Sequence, residues 1–167
     1  MKKQVLTIVG KSVEKFGFNY DPEMSDGGIL VTFTRITGDI KQVIQIQKER
    51  FATGLHLSFG ITEPNALMVF PESATEFIPL DRMPPITDFL KRIREQQIEN
   101  FLTVPEYRVE MEKLGADLKH LQNPRFKYGY YWAYEDKAEI PGILEEFAEI
   151  IELYGLDKLN ELSSNTT

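Results

Sequence analysis

The stretch GGILVTFTRITGDIKQVIQIQKERFATGLHLSFGIT, residues 27–62, decides the fold. Ile29, Val31 and Phe33 alternate with Leu30, Thr32 and Thr34. Ile44 and Ile46 alternate with Gln45 and Gln47, and Leu55, Leu57, Phe59 and Ile61 alternate with His56, Ser58 and Gly60. A period of two sends successive side chains to opposite faces of a strand. Asp26-Gly27-Gly28 and Gly38-Asp39 supply turn chemistry around the first run. The three runs predict an antiparallel meander with one oily face. Its other face carries Thr32, Thr34, Gln45, Gln47, His56 and Ser58, polar and nearly uncharged.

Toward the N-terminus, Val5, Val9, Val13 and Phe16 step by four, four and three, which places them on one helical stripe. Gly17 fits the end of that helix, where a left-handed residue costs little, and Gly10 is its weak point. Prolines 64, 71, 79, 84 and 85 make residues 63–85 irregular, with one short strand expected at 67–70. Thr87 is placed to cap a helix with Leu90, Ile93 and Phe101 inward. Thr103-x-x-Glu106 has the capping-box pattern and predicts a second helix, striped by Tyr107, Met111, Leu114, Leu118 and Leu121. Asn123-Pro124 stops it. Phe126, Tyr128, Tyr130, Trp132 and Tyr134 then alternate with Lys127, Gly129, Tyr131 and Ala133, as in a strand. The last helix opens with Pro141 in its first turn and buries Ile143, Phe147, Ile150, Ile151 and Tyr154. Gly155 is expected to end it, with a helical turn at 157–162 beyond. The expected fold is α+β: an antiparallel sheet, the meander plus the aromatic strand, with about four helices mainly on one face. It forms one domain over residues 1–162, and 163–167 fray.

Composition closes several chemistries. At 167 residues, with 42% hydrophobic and 27% charged, the chain has the makings of a packed core. Nineteen basic against twenty-six acidic residues give −7, which argues against a nucleic-acid binder needing many phosphate contacts. With no cysteine there are no disulfides, thiolate metal sites or thiol nucleophiles. Two histidines do not make a histidine metal cage, so neither metal nor cofactor is expected. Residues 5–9 are too short for the apolar middle of a signal peptide, and the longest apolar run, 66–70, is far below a membrane span. The expectation is a cytoplasmic chain without a membrane partner.

The charge is uneven. Residues 1–134 hold seventeen of each sign, while residues 135–167 hold nine acids and two lysines, Lys137 and Lys158. Glu145, Glu149 and Glu152 stack on the last helix away from its apolar stripe. Such a row is a solvated face or a docking surface for a basic protein partner.

Catalytic signatures fail one by one. Val9-Gly10-Lys11-Ser12 resembles the end of a P-loop, but its required first glycine falls on Val5. No nucleophile elbow, zinc-protease helix or dinucleotide turn occurs. Asp21, Glu23 and Asp26 lack the spacing of a calcium loop. His56, on the polar face beside Ser58 and across from Gln45 or Gln47, is a proton shuttle if a ligand binds there and otherwise a hydrogen-bonded sheet residue. His120, three residues after Asp117, reads as a surface residue near a helix end. The aromatic row, Tyr130 and Trp132 included, is a stacking platform or sheet packing. Only Arg125 and Lys127 accompany it, too little charge for a nucleic-acid groove.

Gly17-Phe18 after an amphipathic helix, then Gln45-Ile46-Gln47-Lys48 and residues 55–60, resembles a bacterial family of domains of unknown function. Its members read helix, Gly-Phe and strands with a glutamine-rich motif ending in lysine. The resemblance spans about the first sixty residues and implies no activity; small acidic bacterial domains in general include toxin-neutralising immunity proteins. Two functions follow as expectations. One is a non-enzymatic protein-binding or regulatory module acting through Glu145, Glu149 and Glu152 on the acidic last helix or through the polar sheet face. The other is a polar-ligand-binding domain or weak enzyme with a pocket over Gln45, Gln47, His56, Ser58, Tyr130 and Trp132.

Overall fold

The alternation in residues 27–62 becomes the centre of an antiparallel sheet. The computed structural model describes residues 1–49, 53–84, 88–113 and 131–166. Among the described residues six strands make the sheet: β1 (Asn19–Tyr20), β2 (Leu30–Thr37), β3 (Ile40–Lys48), β4 (Gly54–Thr62), β5 (Glu72–Ser73) and β6 (Trp132–Ala133). The first five pair in chain order, and β6 joins β5 on the outer edge of β4. Val31, Ile46 and Leu57 form one cross-strand row and Phe33, Ile44 and Phe59 the next. All six are buried. Thr32, Gln45 and Ser58 form the row between them on the other face, with Gln47 opposite His56. The fold class is α+β.

Two helices cover the oily face. Helix α1 runs as Lys2–Val5, a π-helical turn Leu6–Gly10, and Lys11–Glu14. Its stripe of Val5, Val9 and Val13 is fully buried, and Gly17 follows at φ 85°, the left-handed cap expected there. The last helix of the chain begins after a capping box: the Asp136 carboxylate accepts from the Ala138 N–H, and the Glu139 carboxylate accepts from the Asp136 N–H. It runs as Ile140–Ile150, a π-helical turn Ile151–Gly155, and Leu156–Ser164.

Three readings of this helix change. Leu144 is fully buried, and Ile143 and Tyr154 are only half-buried. Residues 157–162 belong to the same continuous rod, which runs to Ser164. Gly155 lies inside the helix instead of ending it, because its missing side chain seats the buried Phe59 ring. The stripe then continues to Leu159, which is fully buried. Gly10 plays the same part in α1, where a β-carbon would stand 3.3 Å from the Phe33 ring. Each helix thus has a π-turn ending in a glycine with a sheet phenylalanine against it. A π-turn adds a residue to one turn and re-aims the apolar stripe.

A polar strut crosses this apolar layer. Arg35 Nε and Nη2 donate to Gln42 Oε1 at 3.0 and 2.6 Å, and Nη1 donates to the Phe16 carbonyl at 2.7 Å. Gln42 Nε2 donates onward to the Leu159 carbonyl and to Ser163 Oγ. The guanidinium lies 4.5 Å from the Phe18 ring centroid. Gln42 is 1% exposed, so both ends of its amide must be satisfied within the protein. The strut ties the end of α1, two strands and the C-terminal helix together.

Residues 67–70, expected as a strand, are irregular, and the short strand falls at Glu72–Ser73 instead. Val69 and Pro71 rest on Gly60, where a β-carbon would stand 2.6 Å from Val69 Cγ2. The segment is held by packing rather than by a ladder, and Pro71 has no N–H to give one.

Contacts divide the chain into one unit of Met1–Ile78 with Tyr131–Thr167 and a second of Pro79–Tyr130. The second contains α2 (Asp88–Thr103) and α3 (Pro105–Lys113). The capping box expected at Thr103 is not made: its hydroxyl donates back to the Glu99 carbonyl, and Pro105 opens α3 after a break at Val104. Phe101 is buried, with the Arg108 guanidinium 5.7 Å from its ring centroid. Thr87, Leu114, Leu118, His120, Leu121, Phe126, Tyr128 and Tyr130 lie outside the described residues, and the side chains of Leu90 and Ile93 are likewise undescribed. Among the described residues no helix is long and apolar enough to cross a membrane.

Candidate functional site

The polar face of the sheet divides into a covered half and an open half. On the covered half Thr32 Oγ1 donates to the Met24 carbonyl at 2.7 Å, and Gln45 Nε2 donates to Thr32 Oγ1 at 3.3 Å. The Met24 loop is pinned by Asp21, whose carboxylate accepts from the Glu23 and Met24 N–H groups and from the Thr34 hydroxyl. Asp21 is therefore a turn former. Among the described residues no group of three or more metal-ligating side chains occurs. Lys41, 7% exposed, donates from Nζ to the Ala66 carbonyl at 2.9 Å. Among the described residues, the loops of Met24 and Ala66 roof this half.

Gln47, His56 and Ser58 make up the open half. Gln47 is exposed, and His56 and Ser58 are half-buried. His56 Nε2 meets Glu49 Oε1 at 2.5 Å, each side chain 26% exposed. The Tyr131 ring stands edge-on to the imidazole with centroids 5.9 Å apart. It lies over Gly54, where any β-carbon would run into it. Glu49 is absent from the sequence expectation, although a signal exists: it lies two residues past Gln47, hence on the same face, and the Gln47–His56 register makes it the diagonal neighbour of His56. Tyr131 is also absent from that set. The register puts Trp132 beside Leu55, so the expected Trp132 contribution to this face is corrected. Trp132 turns to the helix side, 3% exposed, its ring edge-to-face with Phe147 at 4.9 Å. Tyr131 takes the polar side. Tyr130 lies outside the described residues.

Burial, reinforced by the Glu49 charge, holds the Tyr131 phenol above its ordinary pKa. The hydrogen bond from Lys158 to Glu72 likewise holds that ammonium above its ordinary value. A raised folded-state pKa supports stability that is complete below the unfolded value and is lost as pH climbs through the folded one. Tyr20 runs the other way, lowered chiefly by its hydrogen bond with Lys2. Tyr131 and Lys158 therefore each take stability away as pH climbs past about 10, while Tyr20 adds to it. Tyr131→Phe removes the phenol's share, so its melting curve should fall less steeply than the wild type's between about pH 9.5 and pH 11.

The acidic row on the C-terminal helix is exposed: Glu145, Glu149 and Glu152 all face water, and Glu152 bonds Lys15 at 2.9 Å across to α1, both half-exposed. Such an exposed pair contributes roughly 0–1 kcal/mol. One surface feature outside the sequence expectation is apolar. Leu67, Met68 and Phe70 are 59, 73 and 94% exposed in one short loop. Compared with family models, curated proteins and solved structures, the chain matches none.

Proposed function

We propose that this chain is a non-enzymatic protein-binding module that docks through the loop carrying Leu67, Met68 and Phe70. The carrying observation is their exposure: three large apolar side chains stand in water within four residues. Leaving such a group uncovered forgoes roughly 1.5–3 kcal/mol per side chain, which a partner's pocket recovers. The fold holds the loop from beneath, since Val69 and Pro71 rest on Gly60 and the Ala66 carbonyl accepts from buried Lys41. A preorganised loop gives up little entropy on docking. The most concrete form of this role is antagonism of a partner protein, as immunity-type proteins practise it.

Placing the photocrosslinker p-benzoylphenylalanine at Phe70 in cells of the source organism tests the reading. A discrete protein adduct is expected at Phe70 and none at exposed Thr7 on α1. The adduct should disappear with Leu67→Ser and Met68→Ser, which change the melting temperature little because surface changes usually cost within about 0.5 kcal/mol. Equal labelling at both positions, or none at Phe70, overturns it.

A polar-ligand site is the second reading, and the Glu49–His56 contact beside exposed Gln47 favours it. Gln45 would contribute little to it, because its amide already donates to Thr32 under the Met24 loop.

A further inference from the structure

We propose that the open depression between Phe77 and the C-terminal helix seats an arginine side chain from a basic segment of the partner. This deepens the binding-module reading and rests on it. The depression has a volume of about 210 Å³ and is lined by Phe77, Leu153, Tyr154, Asp157, Lys158 and Glu161. Its walls are two aromatic rings and a leucine that is 50% exposed. Exposed Asp157 and Glu161 lie four residues apart on one helix, so they are neighbours along its face. The lining therefore combines what an arginine offers, an apolar stem and a planar cation that stacks and bonds carboxylates.

Lys158 shows that a cation suits this place. Its ammonium stands 5.6 Å from the Phe77 ring centroid. Its charge is already taken by Glu72 at 3.0 Å, with Glu161 farther off at 3.8 Å. Asp157 has no ion-pair partner among the described residues. Glu72 lies two residues past Phe70, so the docking loop leads directly to the depression.

Charge selects the occupant. Residues 135–167 carry nine acids and two lysines, a field that draws a cationic segment in and repels an anionic membrane. A second copy of this chain would bring the same acidic surface against itself. Arginine is preferred to lysine because a guanidinium stacks on a ring while bonding two oxygens, and an ammonium is a hydrated point charge.

The test is fluorescence anisotropy with the full chain at low salt and a labelled peptide of alternating arginine and leucine, against its citrulline counterpart. The citrulline peptide should bind about tenfold more weakly or worse. The Asp157→Asn/Glu161→Gln chain should weaken the arginine peptide by a similar factor. Glu14→Gln/Glu23→Gln removes the same charge from exposed positions elsewhere on the chain and should change affinity less than about threefold. Asp157 and Glu161 are exposed, so that variant should fold, as its melting curve will register. Equal binding of the citrulline peptide, an unaltered Asp157→Asn/Glu161→Gln chain, an equal loss in both charge variants, or no binding by the wild type overturns the proposal. If the arginine peptide fails while Phe70 still yields its discrete adduct, the depression is empty and the module reading stands. Loss of the adduct with intact arginine selectivity removes the loop reading alone.

Discussion

Gly155→Ala should lower the melting temperature by about 4–8 °C, corresponding to roughly 2 kcal/mol in a domain of this size. Helix propensity alone predicts the opposite sign, since alanine is better than glycine inside a helix by about 1 kcal/mol. Packing decides, because the new β-carbon would run into the Phe59 ring, which is fully buried and has nowhere to go. Overpacking a well-filled core costs typically 1–3 kcal/mol and occasionally more. The companion Gly155→Ala/Phe59→Leu chain separates the two effects. A smaller side chain opposite the alanine should recover part of the loss, giving a favourable coupling in a double-mutant cycle. Additive losses would mean that Gly155 is needed for its backbone and not for the room it leaves. Gly10→Ala, facing Phe33 at 3.3 Å, should cost less, because a few tenths of an ångström relieve that contact.

The second large effect is expected at the strut. Gln42→Leu leaves the Arg35 guanidinium without its shared acceptor, and the Leu159 carbonyl and Ser163 hydroxyl lose a donor. A buried group left unpaired costs about 1–3 kcal/mol, more when it is charged, so the urea midpoint should fall by the equivalent of roughly 3 kcal/mol. Gln47→Leu, five residues along the same strand but exposed, should stay within about 0.5 kcal/mol of wild type. Similar losses at both positions would show that β-strand amides matter here for solubility and not for the strut.

Local periodicity made the meander legible. Residues 27–62 alternate so regularly that a slip of one residue would put Ile44 and Ile46 into water, which pins the register. The same rule assigned Val5, Val9 and Val13 to the covered side of α1, and Phe147, Ile150 and Ile151 to that of the last helix. Long-range pairing was less accessible. Gly155 reads as a stop signal until one sees which ring lies over it, and π-turns leave little trace in a period of 3.6. Gln42 and Arg35 look like surface residues in a strand count, yet they meet two helices on the oily side. At the candidate site Gln47 and His56 were visible because they share a face. Glu49 needed the exact register between β3 and β4. Trp132 was misassigned because a single residue's offset exchanges it with Tyr131. The exposed apolar loop was hidden by its own composition, since residues 66–70 resemble a buried strand and only the tertiary structure reveals that they are uncovered.

The order of the elements also bears on how the protein is made. The sheet is complete through β4 at Thr62, yet the helix that seals much of its oily side begins only at Ile140, almost eighty residues later. A nascent chain therefore emerges with Phe59 lacking the helix that seats it over that interval, a natural substrate for ribosome-associated chaperones and a window for aggregation when translation stalls.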